Sequence, residues 1–288
     1  MRLLLTGAQG FTGRYLQDAA VKSGFEVSAL SGDLQDAELV REQVQAFCPT
    51  HVIHLAGISH VTVGKAQDYY GVNLLGSLNL LEALAPLQQT LQKVILASSA
   101  NIYGNNDHSP INESESPSPI SHYAMSKLAM EYMSRPFLDK LPIVISRPFN
   151  YTGVGHGRNF VIPKIVDHFA RRASHIELGN TAVLREYNDV RDICQMYLRL
   201  LKLGESGNTY NLATGRAYSL TQVIELLQDI CGYQITVRNN PQFMRANEIH
   251  LLAGDGTKLE KCIGSLPLRT LRETLQWMVD AQQNIGSQ

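Results

Sequence analysis

Five short runs rich in apolar residues, separated by stretches with helical spacing, limit what this chain can fold into. Residues 2–6 (RLLLT), 25–30, 51–55 (HVIHL), 93–97 and 143–146 read as strands of four to six residues. Most are apolar throughout instead of alternating, which is the pattern of parallel strands covered on both faces. Helical stretches lie between them: 14–23, stopped by Gly24; 36–47, closed by Pro49; and 73–87, with Leu74, Leu75, Leu78, Leu81 and Leu84 at helical spacing. A further helix carries Tyr123. Such alternation predicts an α/β fold built on a doubly wound, Rossmann-like parallel sheet. From about Gly153 the rhythm loosens around two clear helices, 189–203 and 219–231. The Pro/Ser/Glu-rich stretch 109–121 reads as a loop, because the sheet pattern resumes after it.

The first strand runs straight into Gly7-Ala8-Gln9-Gly10-Phe11-Thr12-Gly13. Glycines permit a sharp strand-to-helix turn, and they let backbone N–H groups approach a pyrophosphate at the helix N-terminus. A G-x-x-G-x-x-G spacing in that position predicts a dinucleotide-binding domain over 1–152, with 186–215 returning to it. Residues 153–185 and 216–288 then form a smaller α/β substrate domain over the carboxyl ends of the strands.

The second chemical signal is Tyr123-Ala124-Met125-Ser126-Lys127. Residues four apart share one helix face, so a phenol and an ammonium stand together there. A cation in that place lowers the cost of ionising the phenol, which is the expectation carried forward for Tyr123. Ser99, if nearby, supplies a hydroxyl to hold a carbonyl or alkoxide.

Composition narrows the partners. The 288 residues carry a net charge of −1, with 44% hydrophobic and 18% charged residues. That supports a full core and excludes nucleic acid or an anionic membrane as a partner held by bulk charge. The four cysteines, Cys48, Cys194, Cys231 and Cys262, form no C-x-x-C pair, and the nine histidines show no metal-ligand spacing. Core or half-buried thiols in a reducing compartment, and no metal, are the expectation. No apolar run approaches the ~18 residues of a membrane span, so a cytoplasmic protein is expected.

TGAQGFTGRYL (6–16), HLAGISHV (54–61), VNLLGSLNLLEA (72–83), ASSANIYG (97–104), YAMSK (123–127), RPFNYTGVG (147–155), REYNDVRDI (185–193) and YNLATG (210–215) occur in this order. Together they resemble the extended short-chain dehydrogenase/reductase family, the NAD-dependent epimerase/dehydratase group. Within it, HLAG with SHV, NLLGSLNLL, RPFN, YLRLL and Met244-Arg245-Ala246-Asn247-Glu248 resemble the GDP-6-deoxy-4-keto-hexose reductases. The resemblance implies that Gly7, Gly10, Phe11, Thr12 and Gly13 contact the cofactor pyrophosphate. Asp33 and Leu34 would hold the adenine edge, and Leu55, Ala56, Gly57 and Pro148 would line the cofactor groove. Tyr123 would be the acid/base, Lys127 its electrostatic partner and ribose ligand, and Ser99 the carbonyl-orienting hydroxyl. Ser59, His60, Asn101, Asn150, Asn159, Phe160, Val161, Arg185 and Arg245 would face a nucleotide-diphosphate-sugar. A homodimer through a helix pair is usual in the family, and the outer side of the leucine row would serve it. Other residues read as structural: His54 as a packing residue at a strand end, His122 as exposed, and Arg191 with Asp192 as a pair on a helix. His60 stays open between facing the sugar and facing away.

Sugar 4,6-dehydratases of this family place a glutamate two positions after the catalytic hydroxyl, as the base for water loss. This chain has Ala100 and Asn101 after Ser99, so that proton transfer lacks its carboxylate. Reduction of a 4-keto sugar is the leading expectation. The alternatives are a nucleotide-sugar 4-epimerase with retained NAD and a non-catalytic NADP-sensing protein. An acid ending the second strand would bond the ribose diol and repel a 2′-phosphate. Leu30-Ser31-Gly32 supplies none and Arg14 is a nearby cation, so the expectation leans to NADP(H) with NAD(H) possible.

Overall fold

The computed structural model describes residues 1–58, 65–106, 108–244 and 248–285. Its frame is built from β1 (Arg2–Thr6), α1 (Phe11–Lys22), β2 (Glu26–Leu30), α2 (Ala37–Phe47), β3 (His51–His54) and α3 (Ala66–Tyr70). A π-helical turn (Gly71–Leu75) then leads into α4 (Gly76–Leu84), followed by β4 (Lys93–Ala97), α5 (His122–Ser134) and β5 (Ile143–Pro148). The remainder comprises β6 (Tyr151–Thr152), α6 (Val161–Ala170), β7 (His175–Leu178), β8 (Leu184–Glu186), β9 (Asn188–Asp189), α7 (Val190–Leu203) and β10 (Thr209–Leu212). After these come β11 (Ala217–Ser219), α8 (Leu220–Cys231), β12 (Thr236–Asn239), β13 (Leu251–Leu252), α9 (Thr257–Ile263) and α10 (Leu271–Ile285).

Six strands form one sheet in the order β10-β5-β4-β3-β1-β2, every neighbour parallel. The apolar strands make sense on this sheet because successive side chains enter opposite cores. Leu3, Leu5, Ile53 and Ile95 pack with Leu16 of α1 and with Ile193 and Tyr197 of α7. Leu4, Val52, Val94 and Leu96 pack with Val40 of α2, Leu80 and Leu81 of α4, and Met130 of α5. The strand order reverses between β1 and β3, and ligands of such sheets bind outside the carboxyl ends at that reversal.

A third core joins α6, α8 and α10 through Ile165, Phe169, Val223, Leu227, Leu275 and Val279. Three smaller sheets, β11-β8-β13, β12-β7 and β6-β9, edge this part of the molecule. One late element goes back to the first core: Leu259 and Ile263 of α9 pack with α7 and β10. Among the described residues, no helix is long and apolar enough to cross a membrane.

Several details differ from the sequence reading for identifiable reasons. Helix α1 starts at Phe11, after Gly10 as its extended N-cap, so Gly13 lies inside its first turn. The stretch 73–87 does not form one helix, since the π turn precedes α4 and a 3₁₀ turn (Ala85–Leu87) follows it. Arg191 and Asp192 each pair elsewhere: Arg191 with Asp189 at 2.7 Å, Asp192 with Arg269. Residues adjacent on a helix point about 100° apart, so each reaches a different neighbour. Cys48 is exposed at the end of α2, while Cys194 is buried and Cys231 and Cys262 are half-buried thiols.

Candidate active site

The carboxyl ends of the sheet open into a cleft of about 1330 Å³. Single small-molecule sites occupy roughly 300–1,000 Å³, so there is room here for two ligands side by side. At one end lies the glycine turn. Gly7 has φ +70°, and a Cβ on Gly13 would stand 2.1 Å from the Gly7 carbonyl oxygen. The residue at position 13 must therefore lack a side chain. Helix α1 has Gly10 as its N-cap with no side-chain cap, so its first N–H groups keep their capacity for an anion. The Ser98 hydroxyl, in the same cleft, is buried with no partner. A tight glycine cradle, an uncapped helix end and an orphaned hydroxyl fit a dinucleotide. Gly7, Gly10, Phe11, Thr12 and Gly13 all line this end, with Leu55, Ala56, Gly57 and Pro148 across from them.

Ser99, Tyr123 and Lys127 converge in the middle of the cleft. Tyr123 sits in the first turn of α5, whose N-cap Ser121 accepts from the Ala124 N–H. Lys127, one turn later and 4% exposed, donates its Nζ to the Ala97 carbonyl at 2.8 Å. That carbonyl ends β4, so the ammonium is fixed to the sheet. The lysine is hemmed in as well: a Cβ on Gly57 would lie 3.0 Å from its Nζ. Burial pulls the Lys127 ammonium down to about 8, and Glu131, one turn on, pushes it back up. Burial raises the Tyr123 phenol above its ordinary value, and a hydrogen bond with Ser99 lowers it. The downward pull expected of Lys127 comes instead from Ser99, and burial outweighs it, since desolvation disfavours a phenolate.

The other expected residues divide into three sets. Asn101, Asn150, Asn159, Phe160, Val161 and Arg185 line the cleft, with Phe160 and Val161 at the start of α6. Arg185 already donates to the Leu184 carbonyl at 2.8 Å and to the Ile249 carbonyl. Asp33 and Leu34 are not among the cleft lining: the Asp33 carboxylate accepts from the Gln35 N–H at 2.9 Å, and Leu34 is buried beneath α4. Ser59, His60 and Arg245 lie outside the described residues. His54 is fully buried, bonded to Thr6 and Ser77, and burial lowers it to about 3, so it is neutral.

Several contributors went unseen in the sequence. Asn73, facing inward from the π turn, accepts from the Ile58 N–H at 2.8 Å and donates to Ser126 Oγ at 3.0 Å. It joins the loop after β3 to the helix of Tyr123. A stack of Phe11, His156 and Phe160, with centroids 4.3 and 4.1 Å apart, links the glycine turn to α6. Burial lowers His156 to about 4, leaving its ring neutral in that stack. Beneath Lys127, Glu131 forms a bidentate pair with Arg147, at 3.0 Å from Nε and 2.6 Å from Nη2. Arg147 also donates to the Tyr103 hydroxyl at 2.9 Å, which donates to Asn211. The spacing of Lys127 and Glu131 was a legible signal; Arg147 needed the fold.

The sequence model of the GDP-mannose 4,6-dehydratase family matches residues 26–278. The chain belongs to this family, within the extended short-chain dehydrogenases/reductases. Similar members include the GDP-6-deoxy-D-talose 4-dehydrogenase of Aggregatibacter actinomycetemcomitans, 33% identical over 270 residues, 92% of each chain. The GDP-6-deoxy-D-mannose reductase of Pseudomonas aeruginosa is 32% identical over 290 residues, 96% of this chain and 95% of that protein. Among solved structures, RMD from Pseudomonas aeruginosa complexed with NADPH superposes with a TM-score of 0.89 at 30% identity, covering 99% of this chain and 98% of that one. A Burkholderia cenocepacia protein, provisionally described as an epimerase, superposes with a TM-score of 0.93 at 42% identity over 98% of both chains.

Proposed function

We propose that this family member reduces the 4-keto group of a GDP-linked 6-deoxyhexose with NAD(P)H. The observation that carries the reading is the convergence of Ser99, Tyr123 and Lys127 in a two-ligand cleft with Ala100 and Asn101 where a dehydratase needs its glutamate. The two relatives named as a GDP-sugar 4-dehydrogenase and a GDP-sugar reductase support the same substrate class.

When bound, the nicotinamide supplies or accepts the hydride. This chain's residues do the rest. The Ser99 hydroxyl holds the carbonyl oxygen, Tyr123 gives its proton to the alkoxide that forms, and the Lys127 ammonium stabilises the charge left on the phenol. Gly7, Gly10, Phe11, Thr12 and Gly13 hold the dinucleotide phosphates, with Leu55, Ala56, Gly57 and Pro148 along its groove. Asn150, Asn159, Phe160, Val161 and Arg185 face the nucleotide-sugar, where an arginine suits a diphosphate, and Asn101 beside them bonds to the Ser99 hydroxyl oxygen.

NADP(H) is the preferred cofactor in this reading. Position 31 at the end of β2 is a serine, and its N–H and carbonyl are both held by the Gln43 side chain, at 3.0 and 2.7 Å. No carboxylate stands there to repel a 2′-phosphate. Ser31→Asp should shift preference toward NAD(H) in cofactor titrations; an unchanged ratio removes position 31 as the determinant. The reading includes a homodimer across α4 and α5, where Leu75 of the π turn and Met125 and Tyr132 of α5 are exposed apolar residues. It also includes a cytoplasmic setting, in keeping with four free thiols.

The test is a panel of GDP-, dTDP-, UDP- and CDP-4-keto-6-deoxy sugars with the purified protein. Stoichiometric NAD(P)H consumption with the GDP-sugar is expected. The likeness to the Burkholderia protein favours one second reading, a 4-epimerase with retained NAD. Turnover of a nucleotide-hexose without net cofactor use would establish that reading instead.

A further inference from the structure

Ser99 caps the 3₁₀ turn Ala100–Tyr103, and its hydroxyl oxygen receives two N–H groups from one residue. The Asn101 backbone N–H lies at 3.2 Å and the Asn101 amide Nδ2 at 3.1 Å. A hydroxyl has two acceptor lone pairs and one proton. With both lone pairs engaged, the Ser99 hydrogen is left to donate into the cleft, whose lining includes Tyr123. We infer that Asn101 is a positioning residue: its side-chain amide makes Ser99 a one-way donor into the cleft, toward the Tyr123 phenol in the free protein and toward the substrate oxygen once that is bound. The inference rests on the reductase reading for its substrate but not for its geometry.

Polarity is the point of the arrangement. A carboxylate at position 101 has no proton to give, so wherever it stays bonded to Ser99, instead of turning away to act as a base, it takes the Ser99 hydrogen from the reacting oxygen. An amide of the same shape does the opposite. Position 101, where dehydratases of this family hold their base, is thereby converted from a proton acceptor into a support for the hydroxyl that precedes it. Asn101 is well placed for this because the short turn brings its backbone and side chain to the same oxygen.

The experiment is a double-mutant cycle of Asn101→Ala and Ser99→Ala, with Asn101→Asp as the polarity-reversing variant. Thermal melts and cofactor titration check that each variant is folded. In the wild-type background, Asn101→Ala should lower kcat about tenfold, the factor that one misdirected hydrogen bond is worth. KM should stay within about twofold, and Asn101→Asp should cost more than Asn101→Ala. In the Ser99→Ala background, Asn101→Ala should cost nothing further. An equal loss in both backgrounds, or an effect carried by KM, overturns the inference. A second readout needs no substrate: the titration of Tyr123 in tyrosine-labelled protein, followed by NMR and assigned with Tyr123→Phe. Asn101→Ala should raise its pKa when Ser99 is present and leave it unchanged when Ser99 is absent; a shift independent of Ser99 overturns the inference. If this signature appears while no 4-keto sugar is reduced, the substrate reading fails and the positioning role stands.

Discussion

Replacing Glu131 by glutamine removes the counter-charge beneath the catalytic lysine and strands Arg147. The side chains of Arg147 and Glu131 are only 8% and 9% exposed, so water cannot take over the lost partner. Removing one member of a buried pair costs ~3–5 kcal/mol, because the remaining charge stays buried without compensation. At ~2 °C per kcal/mol for a chain of this length, the melting temperature should fall by ~6–10 °C. Catalysis changes through Lys127. Its pKa falls from an ordinary 10.5 to about 8 on folding, with burial as the cause and Glu131 the opposing charge. A shift of that size is worth ~3 kcal/mol. Because the folded pKa lies below the unfolded one, this cost to stability is fully present below about pH 8. It is relieved as pH rises from there toward 10.5. Any rate that needs the ammonium falls as pH rises through about 8. In Glu131→Gln that fall moves to lower pH, since the counter-charge that opposed burial is gone. Differential scanning calorimetry and the pH dependence of kcat read the two effects. Arg147→Met with Glu131→Leu should recover stability relative to Glu131→Gln but keep the shifted pH limb. A Glu131→Gln protein that melts within about 1 °C of wild type, with an unmoved pH limb, would refute the reasoning.

Other changes separate chemistry from binding. Tyr123→Phe should lower kcat by ~10²–10⁴ while leaving cofactor affinity within a few-fold, as measured by stopped-flow turnover and fluorescence titration. Gly13→Ala places a methyl 2.1 Å from the Gly7 carbonyl oxygen and 2.6 Å from Ala8 Cα. It should cost ~1–3 kcal/mol in chemical denaturation and weaken cofactor binding, because backbone must shift to make room.

Where residues repeat with a period, the sequence was a good guide to this fold. The bounds of β1 and β4 are those their apolar runs indicate, and α2, α7 and α8 begin one residue after Asp36, Asp189 and Ser219, which cap them. The glycine turn and the Tyr123–Lys127 pair were equally visible, because both depend on local spacing. What stayed hidden depends on contacts between distant segments. Strands β6, β9 and β13 are two residues long and carry no periodic signal. The leucine row concealed the π turn that swings Asn73 inward. Arg147 and Glu131 lie 16 positions apart, and only the packing of α5 against β5 makes them partners. Tyr123 shows the same limit: spacing reveals its neighbours but not its burial, and burial sets the direction of its pKa.

The central claim is that hydride passes from the nicotinamide to C4 of a GDP-linked sugar while Tyr123 supplies the proton. Incubation of a GDP-4-keto-6-deoxyhexose with NADPH stereospecifically deuterated at the reactive C4 position, followed by mass spectrometry and NMR of the product, tests it directly. One deuterium at the sugar C4 for each NADPH oxidised, using the isotopomer of the transferred face, is the predicted result. Product formed without deuterium from either isotopomer would contradict the account.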